Sequence, residues 1–287
     1  MAEQLGMVEG RLRGIGQFSS VVSAIRGMAA VRLNEAEEHL KGIAAYAGTV
    51  ADAIGQALAL LSQMPVAAPE GTTHGMHLVI ALCSEQGFVG GFNGRVLDCL
   101  GATGSPTVLF VVGRRGASEA RERGLEVSGE FPMAGHAQET VTLANRLAEE
   151  LYRRIEKEGI DRVTLVHAVP TKQGREPAAR PLIPFDFQRF PASTAGGPPL
   201  LNLSPDALLE ALAREYVFAE ISEALMLSYA AENEARMYAM LAARSNIDRK
   251  QGELTALVRR LRQEDITTEV AELAVGALVN MGGDRGS

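Results

Sequence analysis

All 12 prolines fall between Pro65 and Pro205, and none lies in residues 1–64 or 206–287. A proline inside a helix removes a backbone hydrogen bond and clashes with the turn before it, at about 3 kcal/mol. Long helices therefore exclude it. The chain reads as a helix, a proline-punctuated body and a second helix, with expected divisions at 1–64, 65–205 and 206–287.

The first flank carries a heptad. Leu33, Ala36, Leu40, Ile43, Ala47, Val50, Ile54, Ala57 and Leu61 alternate steps of three and four, the repeat of a coiled-coil seam. Its alanines let a partner helix approach closely. Gly42, Gly48 and Gly55 each cost about 1 kcal/mol relative to alanine, so packing must hold this helix.

The second flank opens at Ser204-Pro205-Asp206, a serine N-cap with proline at the first helical position. Leu208, Leu212, Val217, Ile221, Leu225, Tyr229, Met237, Met240 and Leu241 follow at helical spacing. A kink or short break is expected near Asn246 and Gly252, before Leu254, Leu257, Val258 and Leu261 resume the pattern. Two long helices from opposite chain ends most simply pair antiparallel. The alternative is two separate helices packed on the body. The end of the chain is apolar all round: Val270, Leu273, Ala274, Val275, Ala277, Leu278, Val279 and Met281. Such a helix wants burial on every side, and a lone coiled coil could not supply it. Either other chains sleeve it, or it tucks into its own body.

The body alternates strand and helix signals. HLVIAL (77–82), TVLFVVG (107–113) and VTLVHAVP (163–170) are short β-rich apolar runs, as buried strands are. Helical patterns stand near Gly91–Leu100, Gly116–Arg123 and Gln138–Glu158. PLIPFDF (181–187) fits an edge strand because of its prolines. The expected class is α/β: a Rossmann-like central domain with a mainly parallel sheet, plus a long antiparallel coiled coil of the two chain ends.

No catalytic constellation stands out. Ser84-Glu85-Gln86-Gly87-Phe88-Val89-Gly90-Gly91 follows the first strand and could cradle a phosphate, but it lacks both the Lys-Ser/Thr of a P-loop and the G-x-G-x-x-G spacing. A tight turn is the plainer reading. His74 and His77 have too few ligands nearby for a metal. Glu37, Glu38, Glu149 and Glu150 read as solvated helix faces. No cofactor is expected. Net charge is 28 − 35 = −7, which argues against a nucleic-acid binder. Two cysteines, Cys83 and Cys99, cannot make a disulfide framework. No apolar run approaches the ~20 residues of a membrane span, and MAEQLGMVEG lacks the pattern of a signal peptide. A soluble, intracellular protein is expected.

Four stretches, in order, resemble the gamma subunit of F-type ATP synthases. RLRGIGQFSSVVSAIRGMAAVRL (11–33) is similar to that family's opening helix, and SEQGFVGGFN (84–93) to its Ser-Asp-Arg-Gly-Leu-Cys-Gly-Gly turn. REYVFAEISEALMLSYAAENEARMYAM (214–240) resembles its C-terminal helix, with Ser228, Ala231, Glu232, Ala235, Arg236, Met237 and Met240 in pattern. RQEDITTEVAELAVGA (262–277) is similar to its Arg-Gln-x-x-Ile-Thr-x-Glu signature. Two places depart from the family. Phe18-Ser19-Ser20-Val21-Val22-Ser23 stands where the family is polar and lysine-rich, and Val89 replaces a cysteine.

The resemblance implies a non-catalytic rotor shaft. It would couple ion flow through the membrane sector to ATP synthesis or hydrolysis at beta-subunit sites. Implied partners are the alpha and beta subunits of the catalytic ring, the epsilon subunit and the c-subunit ring. The implied location is peripheral, on the cytoplasmic face of the cell membrane. Arg262, Gln263 and Thr267 match positions that touch the surrounding subunits, and Glu269 follows in the same signature. Leu273 and Leu278, in the apolar end, join them as expected partner contacts. Two rivals remain: an α/β enzyme using the Gly87–Gly91 loop for a phosphate, and a static coiled-coil adaptor.

Overall fold

A computed structural model describes residues 2–61, 75–103, 108–172, 174–190 and 201–283, without the side chains of 2, 61, 102 and 276–283. In chain order the elements are helix α1 (Ala2–Leu61), strand β1 (Met76–Leu82), helix α2 (Phe92–Asp98), strand β2 (Val108–Val112), helix α3 (Arg114–Glu122), strand β3 (Gly129–Phe131), helix α4 (Glu139–Glu158), strands β4 (Ile160–Thr171) and β5 (Gly174–Ile183), and helix α5 (Pro205–Gly283). Short 3₁₀ turns follow α2 and β5. The chain divides into two compact units, Met1–Met28 with Tyr238–Ser287, and Ala29–Met237.

The second unit contains the sheet, in order β3-β2-β1-β4-β5. Strands β3, β2, β1 and β4 run parallel, and β5 closes the edge antiparallel to β4. Strands covered on both faces should be apolar without alternation, and β1 and β2 are. Leu78, Ile80 and Leu82 face one cluster with Val108, Phe110, Val112, Val163 and Leu165. Val79, Ala81, Leu109, Val111 and Val166 face the other.

On the first face, α4 lays down Leu143, Leu147 and Leu151, one stripe at four-residue steps, each contributing about 2 kcal/mol by burial. The same cluster takes in Ala36 of α1 and Val217, Ile221, Leu225 and Tyr229 of α5, with Leu33, Leu40 and Ile43 packed against it. Farther along, Val50 and Ile54 meet Phe190, with Leu209, Leu212 and Tyr216 around them. Numbers rise along α1 as they fall along α5, so the two run antiparallel. The heptad seam from Leu33 to Ala57 is thus the inner face of α1, and the side chain of Leu61 lies outside the description. By length and composition one helical stretch, Glu3–Leu60, is apolar enough to cross a membrane, with an 18-residue window of mean hydropathy 1.3. Its Ala36, Val50, Ile54 and Ala57 are buried within the protein.

On the second face, α2 brings Phe92, Val96 and Leu97, and α3 brings Ala117 and Ala120. The strand-to-helix turn before α3 demands glycine. Gly113 has φ +100, and a Cβ there would lie 2.5 Å from Ser84 O. Gly116 lets α3 approach β1, since its Cβ would lie 2.0 Å from Cys83 Cβ.

Strand β5 begins at Gly174 and ends at Ile183, earlier than the expected 181–187 at both ends. The chain leaves it through a cis Ile183–Pro184 bond. Proline donates no backbone N–H, so it stands in a ladder only where its nitrogen faces the open side. Pro177 and Pro181 are paired opposite Ala168 and Thr164 on this edge strand. The three-residue β3 was not expected from the sequence.

In the first unit, Val8 packs with Val258 and Leu261, and Val22 packs with Met240 and Ile247. The order is again antiparallel. The expected break near Asn246 and Gly252 is absent, and α5 is continuous there. Ile247 is buried against Val22, and that contact holds the soft stretch helical. Ser204 caps α5 as expected, accepting from Ala207 N at 3.4 Å.

Candidate functional site

Two surfaces gather the residues singled out in the sequence: the glycine turn after β1 and the outer part of α5.

The turn is held from three sides. Ser84 N donates to Asn93 Oδ1 of α2 at 2.8 Å. The Glu85 carboxylate accepts from Arg114 N at 3.1 Å and Met133 N at 2.9 Å, and pairs with the Arg114 guanidinium. Burial alone would raise this carboxyl, but those backbone donors and Arg114 outweigh it and hold it below the ordinary carboxylate range. From α5, Arg236 donates to Gly87 O and Gln86 O, each at 3.3 Å. Arg236 is itself paired to Glu232 at 2.6 Å, with both side chains about 5% exposed. Asn233 Oδ1 accepts a further Arg236 bond at 3.2 Å. Burial pushes the Glu232 carboxyl above its usual value, against the pull of Arg236.

At the tip of this turn, Phe88 is 65% exposed and takes φ +62, a region that costs a non-glycine residue free energy. The start of α3 holds the chain's own Glu85 carboxylate, which accepts from Arg114 N. The turn is a braced projection presenting Phe88. The ion pair behind it was missed as a working part. Its signal was two opposite charges four apart, Glu232 and Arg236, between the apolar Ala230-Ala231 and Met237 of α5.

His77 is buried, with Nε2 2.9 Å from Thr164 Oγ1, and His74 lies outside the described residues. Among the described residues no group of three or more His, Cys, Asp or Glu is placed to hold a metal ion.

The second surface lies on α5 of the helix pair. Arg262 reaches Glu9 of α1 at 2.6 Å and remains 62% exposed. Gln263 and Thr267 line one shallow depression with Arg260, Glu264, Thr268 and Ala271. Thr267 Oγ1 donates back to Gln263 O at 2.8 Å. Glu269 is exposed, and Leu273 is 68% exposed. The side chain of Leu278 lies outside the description. Within the pair, the apolar contacts with α1 reach Leu261, which packs with Val8, while Leu5 and Leu257 flank them. Beyond that point Ile266, Val270, Leu273 and Val275 are all more than half exposed. Steps of four and three put the first three on one face. Elsewhere along the pair Arg244 donates to Ser19 Oγ at 2.6 Å and Ser23 Oγ at 3.2 Å.

A run of large apolar residues left exposed on one helix is a surface suited to contact with other chains. Comparison with known proteins gives the family. Residues 4–278 match the family model described as ATP synthase, and the chain belongs to that family. A chain of Frankia casuarinae named ATP synthase gamma chain is 28% identical, over 96% of this chain and 98% of the relative. One of Moorella thermoacetica with the same name is 27% identical, over 93% and 95%. The fold is shared with a chain from the Euglena gracilis mitochondrial ATP synthase (OSCP/F1/c-ring, rotational state 3), at TM-score 0.65 and 13% identity, covering 100% of this chain and 97% of that one. A central-stalk/c-ring structure from the Tetrahymena thermophila mitochondrial ATP synthase contains another such chain, at TM-score 0.55 and 17% identity, covering 78% and 99%. Within its family the chain is of the gamma type, a non-catalytic subunit.

Proposed function

We propose that this chain is the rotating shaft that couples ion flow through a membrane sector to ATP synthesis or hydrolysis at sites on beta subunits. In this reading 1–64 and 206–287 form the shaft and 65–205 the body. The alpha and beta subunits form the sleeve, and epsilon and the c ring meet the body at the cytoplasmic face of the cell membrane. The observation that carries the reading is the exposed run Ile266, Val270, Leu273 and Val275 beyond the last apolar contact with α1. Left in water, so much large apolar surface on one helix is unfavourable, and enclosure by other chains removes the cost. Arg262, Gln263, Thr267 and Glu269 then meet the sleeve as rotation-dependent contacts, with Leu273 and Leu278 as apolar ones.

Coupling needs contacts that differ between rotational states. A charge-assisted hydrogen bond is worth about 1.5–3 kcal/mol net, enough to shift a population tenfold or more. The exposed Arg262–Glu9 pair contributes at most about 1 kcal/mol to the isolated chain. Arg262→Ala with Gln263→Ala should therefore leave helix content and melting of the isolated chain nearly unchanged. In the assembled complex it should lower ATP turnover, or its coupling to ion transport, several-fold. Wild-type turnover and coupling in the mutant complex would sink the assignment of these contacts. Saturable nucleotide binding by the isolated chain, abolished by Gly90→Val, would restore the enzyme reading. An assembled ring that does not enclose the end of α5 would favour the static adaptor.

A further inference from the structure

We propose that Arg175 is the torsional brace of this subunit: a positioning residue that fixes α1 and α5 against the β4–β5 hairpin so that load passes between the helices and the sheet without slip. The inference rests on the rotor reading and adds a working part to it.

The hairpin is an overhang. Strand β4 pairs with β1 only as far as Val166, opposite Ala81. Its ladder with β5 continues to Thr171 opposite Gly174. The last residues of β4 and the first of β5 therefore have only each other as strand partners. Thr171 Oγ1 closes the tip by donating to Gly174 O at 3.1 Å. Arg175 stands next to that tip. Its Nη2 lies 3.0 Å from Glu37 Oε1 on α1, and its Nη1 lies 3.0 Å from Glu234 Oε2 on α5. One side chain thus ties the free end of the hairpin to both long helices. A neighbouring tie, Ala168 N to Ser228 Oγ at 3.2 Å, reaches α5 only.

Stability alone does not account for a guanidinium at this place. The Arg175 side chain is 15% exposed and that of Glu234 is 19% exposed. Its Nε is buried with no acceptor among the described residues. A half-sheltered ion triad is a weak source of stability, and an apolar side chain of similar size would hold the overhang about as well. What an apolar side chain cannot do is set direction. Hydrophobic contact is non-directional and tolerates sliding. A planar guanidinium with each Nη on a different carboxylate fixes the angle between the two helices and the strand. Lysine can reach two carboxylates with its three donors, but on one rotatable nitrogen without the planar fork that fixes direction.

The test uses the complete complex in sealed vesicles, with wild type, Arg175→Met, Arg175→Lys and Glu234→Gln chains. Two quantities are read: ATP turnover without an ion gradient, and ions (proton or sodium) taken up per ATP hydrolysed. The expected result is unloaded turnover within about twofold of wild type for all variants. Ions moved per ATP should fall at least threefold in Arg175→Met and by an intermediate amount in Arg175→Lys and Glu234→Gln. Melting of the isolated chains is followed in parallel. An Arg175→Met complex with the wild-type ratio overturns the brace. So does a ratio that merely follows the melting temperature across the set, since a structural role alone would produce it. If the wild-type complex itself moves no ions per ATP, the rotor reading fails rather than the brace.

Discussion

Removing Arg236 should be among the most damaging single changes available to this chain, and its cost should depend on pH. The guanidinium closes a 2.6 Å pair with Glu232, donates to two turn carbonyls at 3.3 Å and bonds Asn233 at 3.2 Å. Both charged side chains are about 5% exposed. Arg236→Ala strands a buried carboxylate, a defect that costs roughly 3–5 kcal/mol. For a cooperative unit of this size each kcal/mol lowers the melting point by about 2–4 °C, so a loss on the order of 10 °C is expected at pH 7.5. Burial already raises Glu232, and without its partner it rises further. A carboxyl whose folded pKa is raised favours folding fully below the unfolded value of about 4.3 and loses that contribution as pH rises. The defect should therefore shrink between pH 7.5 and pH 5. Glu232→Gln with Arg236→Met removes the stranded charge and should cost less than Arg236→Ala alone. Melts followed by circular dichroism at both pH values decide it. A drop below about 3 °C, or a double mutant no better than the single, would refute the argument that the unpaired charge dominates.

Burial also pushes the His167 imidazole down to about 4. The unfolded chain then binds more protons between pH 6.5 and 4, so stability should fall as pH drops through that window, by roughly 3 kcal/mol in all. Urea midpoints at pH 7.5 and 4.5 measure the loss, and an unaltered slope in His167→Gln would rule His167 out as its source. A Cβ at Gly42 would meet open space, so Gly42→Ala should stabilise the isolated chain by about 0.5–1 kcal/mol, read from denaturant midpoints. Gly116→Ala should do the reverse. Its Cβ would lie 2.0 Å from Cys83 Cβ, and overpacking of this kind costs about 1–3 kcal/mol or more.

The sequence was most legible where one physical demand dominated. The proline-free flanks announced α1 and α5, because no backbone can carry proline through many helical turns. Strands β1 and β2 showed as apolar runs because both of their faces are covered. Strand β5 was only partly visible. Gly-Arg-Glu-Pro-Ala-Ala-Arg-Pro has little intrinsic strand preference, and pairing with β4 makes it a strand. The glycine turn was readable as a turn, but its two glycine-like dihedrals sit on Phe88 and Gly90, so a strained phenylalanine beside Gly87 left no trace in the residue pattern. The roles of Arg236 and Arg175 were hidden for another reason. A charge four residues from its opposite on a helix usually marks a wet surface, and an arginine beside a hairpin turn usually points into solvent. Only the fold reveals that both reach inward to hold something in place.

The last strand of the sheet bears on what happens to copies of this chain before they are incorporated. A long open edge is ordinarily a template on which another strand can zip, and growth by that route is hard to reverse. Pro177 and Pro181 are four apart on β5, so their nitrogens face the same outer side. A guest strand would meet a missing donor at every second outward position and could not extend its pairing. Surplus chains should therefore meet one another through exposed helical residues such as Val270 and Leu273. Contacts of that kind come apart on dilution, which keeps unincorporated copies recoverable instead of locked into fibres.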